Sequence, residues 1–414
     1  MGELAIKGGE PVRKKPFRSW PVVGEEERRI LLEVLESGKW WYGEKVREFE
    51  EKFARFQDAR FGVTTTSGTT ALEVALLSLG IGAGDEVIIP SYSFVATASA
   101  VLRVNAIPIF ADVEEDTLNL SIDDLKDKIS EKTRAIIPVH FAGLPCDMDA
   151  LLDIAERYQL FIVEDACHAW GSKWRGKGVG ALGNCGVFSF QMSKNITSGE
   201  GGIILTNDPA LAETMRSYIN CGRGKDSPWY EHYLLGSNLR LTEIQAGLLL
   251  AQFTRLEEHT HRRERNARIL DETFGEMEGI KVIRRDERVT RRAYHIYVFL
   301  FEEEKWGVDR DTFIEALRAE GIPCHGGYPH PLYRNPLFQR KGKGPRYCPL
   351  SCPFYGKDID YSSCVTPVAE KVCKRAVWIK HPLLLGEEED MRDIIRAVEK
   401  VWENRKELSG LSLI

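Results

Sequence analysis

Apolar and polar positions alternate along this chain in two rhythms. Apolar runs of strand length occupy residues 86–90, 107–113, 135–141, 160–164, 186–190 and 202–206, and helical spacing of apolar side chains marks residues 70–79, 94–104, 122–129, 147–158 and 209–218. Buried strands separated by helices predict an α/β unit, with a mostly parallel central sheet flanked by helices. Ligands in such sheets bind at the carboxyl ends of the strands. Upstream, Ile30, Leu31, Val34 and Leu35 predict a helix over 25–37 that Gly38 stops, and Val46, Phe49, Phe53 and Phe56 share one face of a second over 44–56. Trp40, Trp41 and Tyr42 lie in the turn between them. A long helix is expected from Thr242 into the charged stretch 255–271, bridging to a smaller α+β domain. That domain would hold a strand at 295–301, a helix at 311–320, a short strand at 322–325, a Pro-, Gly- and Cys-rich loop at 326–367 and a closing helix at 387–402. The expected organisation is an arm over 1–24, a large domain over 25–255 and a small domain over 256–414.

Composition narrows the picture without changing it. The chain has 414 residues, 43% apolar and 29% charged, which suits a soluble globular protein of two domains. A net charge of −6 gives no reason to expect a nucleic-acid partner. No window approaches the roughly 20 apolar residues of a membrane helix, and Met1-Gly2-Glu3-Leu4 is not a signal sequence, so a cytoplasmic location with no membrane partner is expected. Nine cysteines are read as reduced thiols. Cys348, Cys352, Cys364 and Cys373 cluster in sequence but lack zinc-site spacing, so no metal is expected.

Candidate chemistry centres on Phe188-Ser189-Phe190-Gln191-Met192-Ser193-Lys194, which runs from an apolar strand into the Gly-rich turn Ser198-Gly199-Glu200-Gly201-Gly202. A lone loop lysine is ordinarily a surface residue. One held at a strand end can lose solvation and become a Schiff-base nucleophile. Three further features bear on Lys194. Thr64-Thr65-Thr66-Ser67-Gly68-Thr69-Thr70 passes from strand to helix, where hydroxyls and free N–H groups make either an anion site or a simple N-cap. Asp165 ends the apolar strand 160–164, and a carboxylate there needs a cationic partner such as a protonated pyridine nitrogen. Phe94 and Tyr92 follow the strand ending at Pro90, where a ring either joins the core or stacks on a cofactor. Ser189 adds a hydroxyl. Together they form the parts list for pyridoxal 5′-phosphate.

The chain resembles the DegT/StrS-type sugar aminotransferases, a branch of the fold-type-I pyridoxal phosphate enzymes. The resemblance is carried by Ser67-Gly68-Thr69-Thr70-Ala71-Leu72, Gly84-Asp85-Glu86-Val87-Ile88-Ile89-Pro90, Val163-Glu164-Asp165-Ala166, the Lys194 motif through Gly202, and Asn238-Leu239-Arg240-Leu241-Thr242-Glu243. It implies that Lys194 is the Schiff-base lysine and general acid/base, and that Asp165 pairs with the pyridine nitrogen. It also implies that His168 lies beside the ring, Phe94 stacks on it in preference to Tyr92, and Gly68, Thr69, Thr70 and Ser189 hold the phosphate. Asn238, with Arg240 second, would reach the phosphate in a neighbouring subunit, making a homodimer with composite sites.

The opening Leu4-Ala5-Ile6-Lys7-Gly8-Gly9-Glu10-Pro11, the Lys194 motif and Tyr328-Pro329-His330-Pro331-Leu332-Tyr333 look most like the cyclitol branch. That branch aminates scyllo-inosose or related ketones with glutamine as donor. L-glutamate as donor and a nucleotide-linked keto-sugar as acceptor remain open, and Arg223, Arg334 and Lys341 are the cations available for a diphosphate. Trp41, His330 and Tyr333 are either substrate contacts or loop packing. Two other functions stay in play: a lysine-retaining relative catalysing elimination or aromatisation, and a non-enzymatic pyridoxal phosphate-binding regulator.

Overall fold

The computed structural model describes residues 2–339 and 349–408. Helices α1 (Glu25–Ser37) and α2 (Glu44–Phe56) lead into the first sheet. α1 opens with Gly24 N donating to Glu27 Oε2 at 2.8 Å and closes at Gly38, whose φ of 63° belongs to the left-handed region.

The central sheet has seven strands: β1 (Phe61–Thr65), β2 (Glu86–Pro90), β3 (Ile107–Ala111), β4 (Thr133–Ile136), β5 (Phe161–Asp165), β8 (Cys185–Ser189) and β9 (Gly202–Thr206). The short strands β6 (Lys173–Trp174) and β7 (Lys177–Gly178) lie apart from it. In space the order is β1-β9-β8-β5-β4-β2-β3. All neighbours from β8 to β3 pair in parallel, and β9 runs antiparallel to both β8 and β1. Helices α3 (Gly68–Ser78), α4 (Val95–Arg103), α5 (Ile122–Lys128), α6 (Met148–Tyr158) and α7 (Pro209–Ile219) make the connections.

Strand period two sends alternate residues to opposite faces. Ile88, Ile162 and Phe188 join one core with Phe49 and Phe53 of α2, while Val87, Val163 and Val187 join a second with Leu72 of α3. Both faces are therefore covered, which is why these strands are apolar throughout. The expected strand over 135–141 forms a ladder only at Thr133–Ile136; beyond it Val139 makes one isolated bridge to Asp165.

The single long helix expected from Thr242 is two helices, α8 (Glu243–Phe253) and α9 (Leu256–Phe274). At the break Thr254 Oγ1 donates back to Ala251 O at 2.7 Å, and the Arg255 guanidinium turns aside to Glu27 on α1. α8 also anchors the chain's start. Glu243 accepts hydrogen bonds from Gly43 N at 2.9 Å, Lys45 N at 3.0 Å and Val46 N at 3.0 Å, a carboxylate against the N-terminus of α2.

A second, four-stranded antiparallel sheet has the order β10-β12-β14-β13, from β10 (Ile280–Val282), β12 (Ile296–Phe301), β13 (His325–Gly326) and β14 (Ala376–Lys380). β11 (Val289–Arg291) joins β6 and β7 in a small separate sheet. Helices α10 (Glu303–Trp306), α11 (Arg310–Ala319), α12 (Pro336–Gln339), α13 (Pro367–Arg375) and α14 (Glu388–Glu403) complete this half. Phe299, Phe301, Trp306 and Phe313 form its aromatic core. The strand expected over 322–325 is only His325–Gly326, and β14, a central strand of the sheet, was not anticipated.

Candidate active site

The carboxyl ends of β1, β2, β5 and β8 open toward one edge of the central sheet, and most of the predicted cofactor residues stand there. Thr65 and Ser189 flank Gly202 of β9 in the ladder. A Cβ on Gly202 would lie 2.4 Å from Ser67 O and 2.7 Å from Thr65 Oγ1, so only glycine lets the three strand ends meet. Gly68 is equally constrained: a Cβ there would lie 2.8 Å from the Ser189 Cβ and 3.0 Å from Cys167 Sγ.

Ser67 caps α3. Its Oγ accepts from Thr70 N at 3.1 Å while Thr70 Oγ1 accepts from Ser67 N at 3.1 Å. Thr70 is therefore engaged in the cap, as the N-cap reading of this segment expects. The N–H groups of Gly68 and Thr69 have no acceptor among the described residues and face outward from the helix start.

Asp165 ends β5 and is buried. Thr97 Oγ1, one turn into α4, donates to its Oδ2 at 2.9 Å, and Cys167 N donates to its Oδ1 at 3.2 Å. Ser93 Oγ lies 2.8 Å from the same threonine hydroxyl. The preceding Glu164 points to the other face, where it accepts from Gly180 N, Leu182 N and Gly183 N and pairs with His140. Two adjacent carboxylates thus have separate tasks, and Asp165 is the one left facing the open edge. Thr97 was missed by sequence reading; its position three residues past Phe94, in the first turn of a helix, was the available signal.

Lys194 lies in the loop after β8, with its Nζ 5.9 Å from the Trp170 ring centroid. Burial lowers its amine pKa, opposed by the charges of Cys167 and Asp165. Burial, and then Lys194, hold His168 well below the ordinary histidine value. Ala142 N donates to His168 Nδ1 at 3.4 Å, so the ring proton sits on Nε2. Phe94, the N-cap of α4, leaves 58% of its surface exposed at this edge, as a ring with an uncovered face does. Tyr92 is instead buried, packed on Phe141 at 5.1 Å and Tyr328 at 5.2 Å between ring centroids. Tyr328 reaches this neighbourhood from the other sheet, and Asp165 adds to the burial that raises its phenol pKa. Tyr328 opens the segment 328–333 singled out in the sequence, where His330 and Tyr333 were chosen as the contacts instead.

The remaining predicted residues separate. Tyr333 is fully buried, its hydroxyl donating to Glu370 at 2.6 Å and accepting from Thr366 N at 3.1 Å. It packs the interior and is no substrate contact. His330 is half-buried, with Nδ1 donating to Pro331 O at 3.2 Å, two residues before Leu332 N bonds Ser91 O beyond β2. Trp41 and Arg240 meet elsewhere: the guanidinium lies 5.3 Å from the Trp41 ring and donates to Asn220 Oδ1 at 2.8 Å. They line a hollow of about 300 Å³ with Arg216 and Arg223, to which neither Lys194 nor Asp165 contributes. Asn238 is exposed and bridges to Asn220. Of the diphosphate cations, Arg334 is paired with Glu370 at 2.9 Å, Arg223 lies 5.7 Å from the Trp229 ring, and Lys341 is outside the described residues. Cys352 and Cys373 are buried thiols, Cys364 is half-buried, and Cys348 is outside the described residues.

These residues fit pyridoxal phosphate. Gly68 and Thr69 offer unpaired N–H groups to an anion, a glycine keeps the cradle open, and a fixed buried carboxylate faces an amine of lowered pKa.

Comparison with known proteins agrees with that fit. A model of the DegT/DnrJ/EryC1/StrS aminotransferase family matches residues 21–360. The L-glutamine:2-deoxy-scyllo-inosose aminotransferase of Micromonospora echinospora is 38% identical over 429 residues, covering 99% of this chain and 100% of the relative. Among solved structures, 3-amino-5-hydroxybenzoic acid synthase aligns with a TM-score of 0.84 at 31% identity, over 94% of this chain and 100% of its own. DesI, solved in the presence of its TDP-sugar product, aligns with a TM-score of 0.83 at 27% identity, over 98% of each chain.

Proposed function

The chain belongs to the DegT/DnrJ/EryC1/StrS aminotransferase family, and from that premise we propose that it moves an amino group from L-glutamine to a keto-cyclitol of the scyllo-inosose class. The observation that carries this reading is the end-to-end match to a relative named for that donor and that ketone.

Bound pyridoxal phosphate supplies an electron sink for the pair left when a carbon next to nitrogen loses its proton. The chain's residues do the rest. Gly68 N, Thr69 N and the hydroxyls of Thr69 and Ser189 would hold the phosphate at the start of α3, with Thr70 keeping that helix start in place through its cap. Asp165, fixed by Thr97 and Cys167 N, would keep the ring nitrogen protonated. Phe94, with its exposed ring, would stack on the bound cofactor, and His168, with its hydrogen on Nε2, would lie beside it. Lys194 Nζ, unprotonated more readily because it is buried, takes the proton from the donor carbon and later returns one to the acceptor carbon. His330 and Trp41 are the candidates for cyclitol contact. Trp41 and Arg240 line a hollow to which Lys194 of their own chain does not contribute, and Asn238 pairs with Asn220 on its wall, which suits a homodimer in which they serve the partner's site.

The test is a visible spectrum of the purified, cofactor-loaded protein before and after L-glutamine, then L-glutamate. A band lost with glutamine and recovered with 2-deoxy-scyllo-inosose establishes donor and acceptor together. A band that no donor moves favours the elimination or regulator reading. Absence of any band after adding pyridoxal phosphate removes the reading at its base.

A further inference from the structure

The loop that carries Lys194 is closed at its neck by its own backbone. Phe190 N donates to Gly201 O at 2.8 Å and Ser198 N to Phe190 O at 3.1 Å. Its tip is fixed from outside. Trp20 Nε1 donates to Met192 O at 2.9 Å and His381 Nε2 to Ser193 O at 3.0 Å. On the other side of Lys194, Asn195 Nδ2 donates to Ala293 O at 3.0 Å, and His295 Nδ1 donates to Asn195 Oδ1 at 2.9 Å.

The two histidines come from one end of one ladder. His295 precedes β12 and His381 follows β14, strands whose register pairs Ile296 with Lys380. His381 N donates to His295 O at 3.2 Å, and the rings stack with centroids 5.5 Å apart. A third ring, His168, lies 4.5 Å from His295. The proton positions follow from the partners. Ser193 O can only accept, so His381 carries its hydrogen on Nε2, and its buried Nδ1 has no partner among the described residues. Asn195 gives its N–H to Ala293 O, so its Oδ1 faces His295, whose hydrogen is on Nδ1. Burial lowers the pKa of both rings, with His168 and Lys194 adding to it at His295, and Arg263 and Lys194 at His381, where the bond to Ser193 O acts the other way.

We propose that His381 and His295 are positioning residues for Lys194: they tie both of its flanks to the four-stranded sheet, so that docking of that sheet sets where the ε-amine stands over the Asp165 edge. The proposal rests on the reading that Lys194 carries the cofactor. It adds a dependence of that lysine on residues about 100 and 190 positions away in the chain, through two donors to adjacent positions.

His381→Gln keeps an N–H where Nε2 stood, and His381→Leu removes it. Three quantities are read on each purified protein: hydrogen exchange of residues 190–199 without cofactor, the pH titration of the bound cofactor's visible band, and kcat and KM with L-glutamine. His381→Leu is expected to exchange faster in 190–199, to shift the titration midpoint, and to lower kcat by about tenfold with KM within about twofold, the signature of a misplaced rather than missing group. His381→Gln is expected to restore all three. A His381→Leu protein that exchanges, titrates and turns over like the unmodified one overturns the proposal, as does a His381→Gln protein equally impaired. If His381→Leu does not fold, Asn195→Ala removes both bonds on the opposite flank and is read the same way, with the same overturning result. An unmodified protein with no visible band overturns the Lys194 reading instead.

Discussion

At the scale of single residues, Lys194 and Asp165 are distinguished by what surrounds them more than by what they are. Asp165 has two hydrogen-bond donors and faces the open edge, whereas Glu164 beside it is consumed by three backbone N–H groups and a histidine. Lys194→Ala is expected to abolish the visible band of bound pyridoxal phosphate and to lower transamination by about a thousandfold or more, since both the tether and the proton carrier are lost. An alanine protein with an unchanged spectrum would show that another lysine holds the cofactor. Asp165 and Lys194 could be singled out in the sequence because one ends an apolar strand and the other follows one within a short, distinctive run. Tyr333 was not: an aromatic in a Pro-rich loop looks the same whether its hydroxyl meets a substrate or, as here, Glu370.

At the scale of elements, the start of α3 and the end of β8 are in contact only because position 68 has no side chain. Gly68→Ala would press its Cβ on Ser189 and Cys167, and we expect a loss of about 1–3 kcal/mol of stability together with weaker pyridoxal phosphate affinity. Denaturant melts and a fluorescence titration measure the two; a variant with unchanged affinity would separate this helix start from the cofactor. The β12–β14 ladder gives a second expectation. His168, His295 and His381 lie well below the ordinary value of 6.5, and His259 is lowered to about 4, each chiefly by burial. The unfolded chain therefore binds more protons than the folded one as pH falls through 6.5. Stability contributed by these neutral rings is full above that value and is lost below it, at up to about 1.4 kcal/mol per pH unit for each histidine. Melting temperature should be level near pH 7.5–8 and fall between pH 6.5 and 5, with a shallower fall in His381→Gln. Equal slopes in the two proteins would show that this histidine does not contribute.

At the scale of the whole molecule, the Arg240 hollow and the Lys194 edge are separate in one chain. If two copies complete each other's sites, Lys194→Ala and Arg240→Ala chains, each nearly inactive alone, regain activity when co-expressed. Random pairing puts half of the dimers in mixed form with one intact site of two, so recovery of about a quarter of full activity is expected. No recovery would place Arg240 in the same chain's chemistry, or in none. The same scale accounts for the broken helix at Thr254. The apolar stripe fades into a charged stretch with no breaker residue, so the sequence reads as one helix, but Arg255 is drawn to Glu27 on α1, a partner over 200 residues earlier.

The alternation of apolar strands and helices, the position of the open edge and the residues nearest it could be read from the chain, because each depends on neighbours a few positions apart. Strand period, helix capping and a Gly-rich turn are local physics, and the resemblance to a known family rests on the same short runs. What required the folded molecule was every pairing across long separations. Examples are Thr97 on Asp165, Tyr328 packed on Tyr92, the central place of β14 in its sheet, and the histidines that hold the flanks of Lys194. Those contacts depend on how two sheets dock, and docking leaves no period in a sequence.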